Sequence, residues 1–263
     1  YGRQTFLLTN ITGAVCAESF LKGHPPQIPD VLENGQIQDR TRYKTICQTY
    51  KNQRRFFTLY DTANKIPVFS AYIFKGSKTG RPRNLVWMTE PNNDKKSQAS
   101  DNDYKNNSGY DRGHLYPSSY GYSREDKNST FTLTNIVPQA RTFNQRSWSN
   151  MEQCVKRFME KHCIDNNNQI KGFLVTGAEP GNKLLNEKIN IPLKMWSAFC
   201  CYNSTKKKWF ASAHWGDNVA DTNDRCLNTN TLDKLYSKFS KGTTAFKLFP
   251  EELCPSDVSR FVS

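Results

Sequence analysis

The chain has 263 residues, 36% of them apolar and 13% aromatic, enough to bury a core, which excludes a disordered polyelectrolyte. Its 37 Lys and Arg against 24 Asp and Glu leave a formal charge of +13, so the field attracts polyanions: nucleic acid, sulfated sugar or an acidic membrane surface. No run of about 18 or more apolar residues occurs, so no transmembrane helix is expected.

Residues 1–50 read as loop-rich, with Pro25, Pro26, Pro29 and Gly35. The chain opens on Tyr1 rather than Met, which leads us to expect that a leader preceded it; Phe6 to Ala17 reads as mature chain. The aromatic and β-branched runs at 56–60, 67–74 and 85–89 predict strands. From Pro91 to Gly109 the chain is polar and reads as a long surface loop. Residues 131–137 alternate like a strand, which Pro138 should end. A helix follows over about 144–162, where Trp148, Met151, Val155, Phe158 and Met159 recur at helical spacing. After a polar break at 166–169 come a buried strand at 172–176 and a hairpin of 195–202 with 208–214, whose Lys206–Lys208 run reads as a solvated tip. A short helix is expected at 231–239. This order predicts an α+β fold on a mixed, mainly antiparallel sheet. With neither repeat nor linker, 1–263 reads as one domain that includes 1–50.

The eight cysteines fit four disulfides in an oxidising compartment, and no CxxC spacing suggests zinc. Four N-x-S/T sequons begin at Asn10, Asn106, Asn128 and Asn203. Together these features predict a secreted, extracellular glycoprotein. Cys200 and Cys201 are neighbours on a predicted strand, so their side chains point to opposite faces and should bond to different partners. Cys163 and Cys254 are candidates for those partners, leaving Cys154 with Cys226 and Cys16 with Cys47, which should staple the N-terminal segment.

The stretch from Tyr110 to Glu152 carries the chemistry. It contains Asp111-Arg112-Gly113-His114, then Asn135-Ile136-Val137-Pro138-Gln139, then Asn144, Gln145, Trp148 and Glu152. Phosphodiester hydrolysis needs a base near neutral pH, for which histidine is suited, and a divalent cation to offset developing charge. Magnesium takes oxygen ligands and keeps several waters. Asn144 and Glu152 lie eight residues apart, roughly 12 Å along a helix axis, so both cannot easily be close inner ligands of one ion. Asn144, in the first turn, is the better direct ligand, and Glu152 would act through the waters of the ion. Each motif alone also has a plainer reading: Gly113 a bulge, Asp111–Arg112 a local ion pair, Asn144 a helix cap, Glu152 an exposed helix residue and Trp148 core. His24, His162 and His214 read as loop, helix-end and strand-end residues without a catalytic role.

The joint pattern of DRGH, then N-I-x-P-Q about twenty residues on, then F-N-Q-x-x-W-x-x-x-E resembles the DNA/RNA non-specific endonuclease family, whose site is a ββα-metal arrangement. The likeness extends over about residues 43–215, through RFFTLYD, IPVFSAYIF, VWMTEP and LVTG. The ICQ near residue 46 and the Cys200–Cys201 pair are similar to the vertebrate endonuclease domain-containing proteins, a secretory-pathway branch. The resemblance implies a Mg²⁺-dependent (or Mn²⁺-dependent) nuclease acting on the phosphate backbone of DNA and RNA without sequence preference. It also implies that His114 is the general base, Asn144 the metal ligand, Glu152 the carboxylate ordering metal-bound water and Asn135 a further active-site asparagine. An upstream arginine that stabilises the transition state falls on Arg83, or else Arg81, and Asp111 and Arg112 would stand behind the reacting groups. The competing expectation is a secreted nucleic-acid or polyanion-binding protein with an inactive nuclease fold. Loss of the histidine or the metal asparagine would mark it, and both are present here.

Overall fold

The computed structural model describes residues 16–78, 80, 82, 85–91, 94–105, 109–221 and 224–258. A small hairpin of β1 (Leu32–Glu33) and β2 (Gln36–Ile37) precedes three long strands, β3 (Tyr43–Tyr50), β4 (Gln53–Asp61) and β5 (Ile66–Phe74). Next come β6 (Tyr110–His114), helix α1 (Arg124–Ser129) and β7 (Ile136–Ala140). A helical run follows, made of α2 (Arg141–Phe143), a π turn (Asn144–Trp148) and α3 (Ser149–His162). The chain closes with β8 (Gly172–Glu179), β9 (Lys183–Leu185), β10 (Ile189–Ile191), β11 (Lys194–Asn203), β12 (Lys208–Asp217) and α4 (Leu232–Phe239).

Six of these strands form one antiparallel sheet in the order β12-β11-β8-β5-β4-β3. Alternation along each strand divides the apolar side chains between two cores. Phe56, Tyr72, Phe74, Phe199 and Cys201 face α3 and the β6–β7 ribbon. Phe57, Phe69, Ala71, Ala198 and Cys200 face the opposite layer, made of the N-terminal segment, α4 and the C-terminal segment. The adjacent cysteines are split in the same way: Cys201 bonds to Cys163 at the end of α3, and Cys200 to Cys254. Cys16–Cys47 and Cys154–Cys226 complete the four bonds.

Several expectations are corrected. The predicted strand at 85–89 amounts, among the described residues, to a single bridge from Met88 to Thr132, and Val86 is 73% exposed. Residues 131–137 do not form one strand. A 3₁₀ turn occupies Leu133–Asn135, and β7 then runs through Pro138, because the other edge of this two-stranded ribbon is met by the Asn218 side chain, which bonds Ala140 N and the Pro138 carbonyl and asks no N–H of Pro138. The polar stretch 91–109 is not purely surface, since Ala99 and Tyr104 are buried in the core beneath the ribbon. Strand β3, inside the segment read as loop, went unpredicted.

The Lys206–Lys208 run is an exposed hairpin tip, as expected. Asn10 and Asn106 lie outside the described residues. Asn203 is buried; its amide nitrogen donates to the His162 carbonyl at 2.6 Å and its oxygen accepts from the Lys206 N–H at 2.7 Å, so this sequon is not presented by the folded chain. Among the described residues no helix is long and apolar enough to cross a membrane.

Candidate active site

The DRGH tetrapeptide forms most of β6, paired antiparallel with β7 from Tyr110↔Ala140 to His114↔Ile136. β7 runs directly into the helix, so the motif residues share one strand–strand–helix unit. Gly113 is required by packing. A Cβ there would sit 2.5 Å from Gln139 Cβ and closer still to its Oε1, so the glycine of one motif makes room for the glutamine of the other.

The helix begins three residues earlier than predicted, and Asn144 stands at the start of its π turn instead of opening the helix. In an unbroken α-helix eight residues turn through about 800°, which would leave Asn144 and Glu152 about 80° apart. A π turn takes up about one extra residue and returns the two side chains to nearly the same stripe. Both line one open cavity of about 910 Å³, together with Asp111, Arg112 and His114.

The Asp111 carboxylate gathers three N–H donors from the helix: Arg141 Nε at 3.2 Å, Asn144 Nδ2 at 3.0 Å and Gln145 Nε2 at 2.9 Å. With its nitrogen committed, Asn144 has its carbonyl Oδ1 left for the cavity. Glu152 Oε1 accepts from Trp148 Nε1 at 3.0 Å, and its backbone carbonyl accepts from the Tyr120 hydroxyl at 2.7 Å. Burial pushes its carboxyl up to about 8, against the pull of the Trp148 bond. His114 packs against the rings of Phe131 at 4.8 Å and Trp87 at 5.3 Å. Arg112 lies over Trp87 at 5.4 Å and Tyr104 at 5.6 Å and pairs with Asp101 at 2.7 Å. Trp87 thus contacts both the guanidinium and the imidazole.

Asn135 is not brought to the cavity. It is fully buried, with Oδ1 accepting from Ser70 Oγ and Tyr116 N and Nδ2 donating to the carbonyls of Tyr116 and Thr130. Two of these bonds hold the Tyr116 backbone just after His114 and the other two tie it to Ser70 and Thr130, so the structure does not bring this expected site residue to the cavity. Arg83 and Arg81 lie outside the described residues. His162 and His214 do not line the cavity; burial lowers the His214 pKa to about 4. Trp148 is core as expected, and also the donor to Glu152.

Among the described residues no three His, Cys, Asp or Glu side chains gather as a metal cage. The donor set nevertheless suits a hard divalent cation that keeps its waters: one amide oxygen oriented from behind by Asp111, and one carboxyl whose charged form a nearby cation would favour. Sequence reasoning missed Trp87, Ser77, Lys127, Arg141 and Lys156 in the cavity wall and gave Gln145 no role. Only Arg141 and Gln145 carried a signal, their place beside Asn144.

Residues 35–239 match the DNA/RNA non-specific endonuclease family. The chain belongs to this family. It is 28% identical over 208 residues to the human Endonuclease domain-containing 1 protein, covering 71% of this chain and 38% of that protein. It is 33% identical over 92 residues to a Nuclease of Nostoc sp., covering 34% of this chain and 31% of that one. The chain thus spans well under half the length of these relatives. In fold it is similar to a chain in the crystal structure of the EndoG/EndoGI complex, with a TM-score of 0.59 at 17% identity over 72% of this chain and 82% of that chain. That neighbour bears on the mixed α+β fold alone. As a family member the chain has the scaffold of a nuclease, and the cavity beside its DRGH strand is where that scaffold gathers its polar groups.

Proposed function

We propose that this chain is a secreted, divalent-metal-dependent endonuclease that hydrolyses phosphodiester bonds of DNA and RNA without reading sequence, and that residues 1–263 act as one nuclease domain. The observation that carries this reading is that His114, Asn144 and Glu152 line one cavity, with the Asn144 amide held by Asp111. His114 serves as the general base, taking the proton of the attacking water near neutral pH. Trp87 and Phe131 hold its ring in place. Asn144 Oδ1 would hold Mg²⁺ or Mn²⁺, with Glu152 ordering the water around it. When bound, the cation supplies positive charge against the phosphate and leaving oxygen. Arg112, stacked on Trp87, and Asp111 act from behind these groups. Arg83, or else Arg81, would grip the remaining phosphate oxygens. Four disulfides and a charge of +13 support work outside a reducing compartment on a polyanion.

Incubation with supercoiled plasmid and with RNA, each with Mg²⁺ and with EDTA, tests the reading. Both polymers should be cut only with the metal. His114→Ala should lose about 10² to 10⁴ in rate while remaining folded. Activity in EDTA, or a His114→Ala rate within threefold of the parent, would overturn it.

A further inference from the structure

Beside Glu152 the cavity has a second, basic stretch that the chemistry above does not use. Lys127 reaches it from α1, and Lys156 from α3 one turn beyond Glu152. Lys127 is only 3% exposed, and its Nζ donates to Ser77 Oγ at 2.8 Å. Among the described residues no carboxylate pairs with it. The neighbouring Asp126 is taken by Arg55 at 2.7 Å, and Glu125 by Lys51. Lys156 pairs, among the described residues, with Glu160 alone, at 3.9 Å. The position of Lys127 is built in: a Cβ on Gly121 would come 2.7 Å from the Lys127 backbone nitrogen and 2.8 Å from its Cγ, so the chain is cut away there to seat the backbone and stem of the lysine. In the same wall, Ser119 Oγ is buried with no hydrogen-bond partner among the described residues.

An ammonium taken out of water without a counter-charge is costly, and a second ammonium nearby adds repulsion. Both act on Lys127, whose proton affinity is lowered by burial and by Lys156. Two cations from different elements, a hydroxyl already donated to and another without a partner make a poor structural feature and a good anion cradle. We propose that Lys127 and Lys156, with Ser77 and Ser119, form a second phosphate subsite that takes the phosphodiester next to the one being cut. The proposal rests on the nuclease reading above and adds that the site engages two successive phosphates of one strand.

The test is a binding measurement that needs neither metal nor cutting, so a failure of the hydrolysis reading leaves it interpretable. In a His114→Ala background with EDTA, a fluorescein-labelled single strand of about a dozen nucleotides without terminal phosphate is titrated by anisotropy at several salt concentrations. Lys127→Met and Lys156→Gln should each weaken binding by about tenfold and reduce the salt slope by about 0.7. Lys207→Gln, at the remote hairpin tip, should change affinity less than twofold. Lys127→Met should melt no lower than the parent, because it removes a buried charge without a counter-ion. Unchanged affinity and slope in a folded Lys127→Met would overturn the subsite. So would a loss matched by Lys207→Gln, which would show a net-charge effect, or a loss seen only with strands bearing a terminal phosphate, which would reassign the contact to a chain end.

Discussion

Replacing Asp111 by Asn isolates the orientation of the proposed metal ligand from the ligand itself. The Asp111 carboxylate accepts from Arg141, Asn144 and Gln145 at 3.2, 3.0 and 2.9 Å. Hydrogen bonds to a charged acceptor are worth about 1.5–3 kcal/mol each. An asparagine would offer one acceptor oxygen where there are two, and its NH₂ would face donors, so at least one contact becomes repulsive. The Asn144 amide then loses what fixes its nitrogen side. Groups standing behind metal ligands typically change metal affinity by about 10- to 100-fold, or roughly 1.4–2.7 kcal/mol. In Mg²⁺ titrations of plasmid nicking, Asp111→Asn should raise the half-saturating concentration by about that factor, with a smaller effect on the rate at saturation. The parent, Asp111→Asn, Asn144→Ala and the double variant form a cycle. If Asp111 acts through Asn144, its replacement should cost little once Asn144 is gone. A half-saturating concentration within threefold of the parent, or costs that simply add, would refute the reasoning.

Three further outcomes are expected. Gly113→Ala should lose about 1–3 kcal/mol by overpacking against Gln139, and Gln139→Ala should recover part of it, read by chemical denaturation; full stability of Gly113→Ala would contradict the contact. His214 is buried with its pKa lowered to about 4, so between about pH 6.5 and 4 the unfolded chain binds the extra proton and stability falls as pH falls, by about 3 kcal/mol in total. His214→Gln should flatten that acid limb; an unchanged slope would assign it elsewhere. Cleavage should be nearly blind to sequence and fall steeply with salt, as binding through backbone phosphates requires; a sharp cutting site on mapped fragments would argue against this.

The sequence was most legible where spacing and chemistry coincide. The DRGH and N-I-x-P-Q motifs mark the two paired strands, and the apolar period of Trp148 to Met159 marks α3. The adjacent Cys200 and Cys201, on opposite strand faces, announced two different partners and have them. The reading faltered where tertiary contacts decide. Pro138 looked like a terminator because a sequence does not show that the Asn218 side chain, and not a second strand, meets the other edge of its ribbon. Asn135 stands in a motif, yet the four groups that saturate it, from Ser70, Tyr116 and Thr130, are invisible until the chain folds. The π turn inserts a residue that no propensity reveals, and it moves Asn144 relative to Glu152. Lys127 had no local signal, since an isolated lysine in a polar segment is ordinarily solvated.

Two of the four disulfides tie down α3, one from within it and one from the residue that caps its end. Cys154–Cys226 spans 72 residues, and Cys163–Cys201 spans 38. By loop-closure entropy each is worth about 4 kcal/mol, so together they approach the whole net stability of many domains. The helix bearing Glu152 and Lys156 is thus held to the sheet on one side and to the segment before α4 on the other by bonds that exist only after oxidation. A chain kept reduced would hold that helix by packing alone. Only where disulfides can form is the wall of the cavity that carries Glu152 and Lys156 fastened covalently to its neighbours.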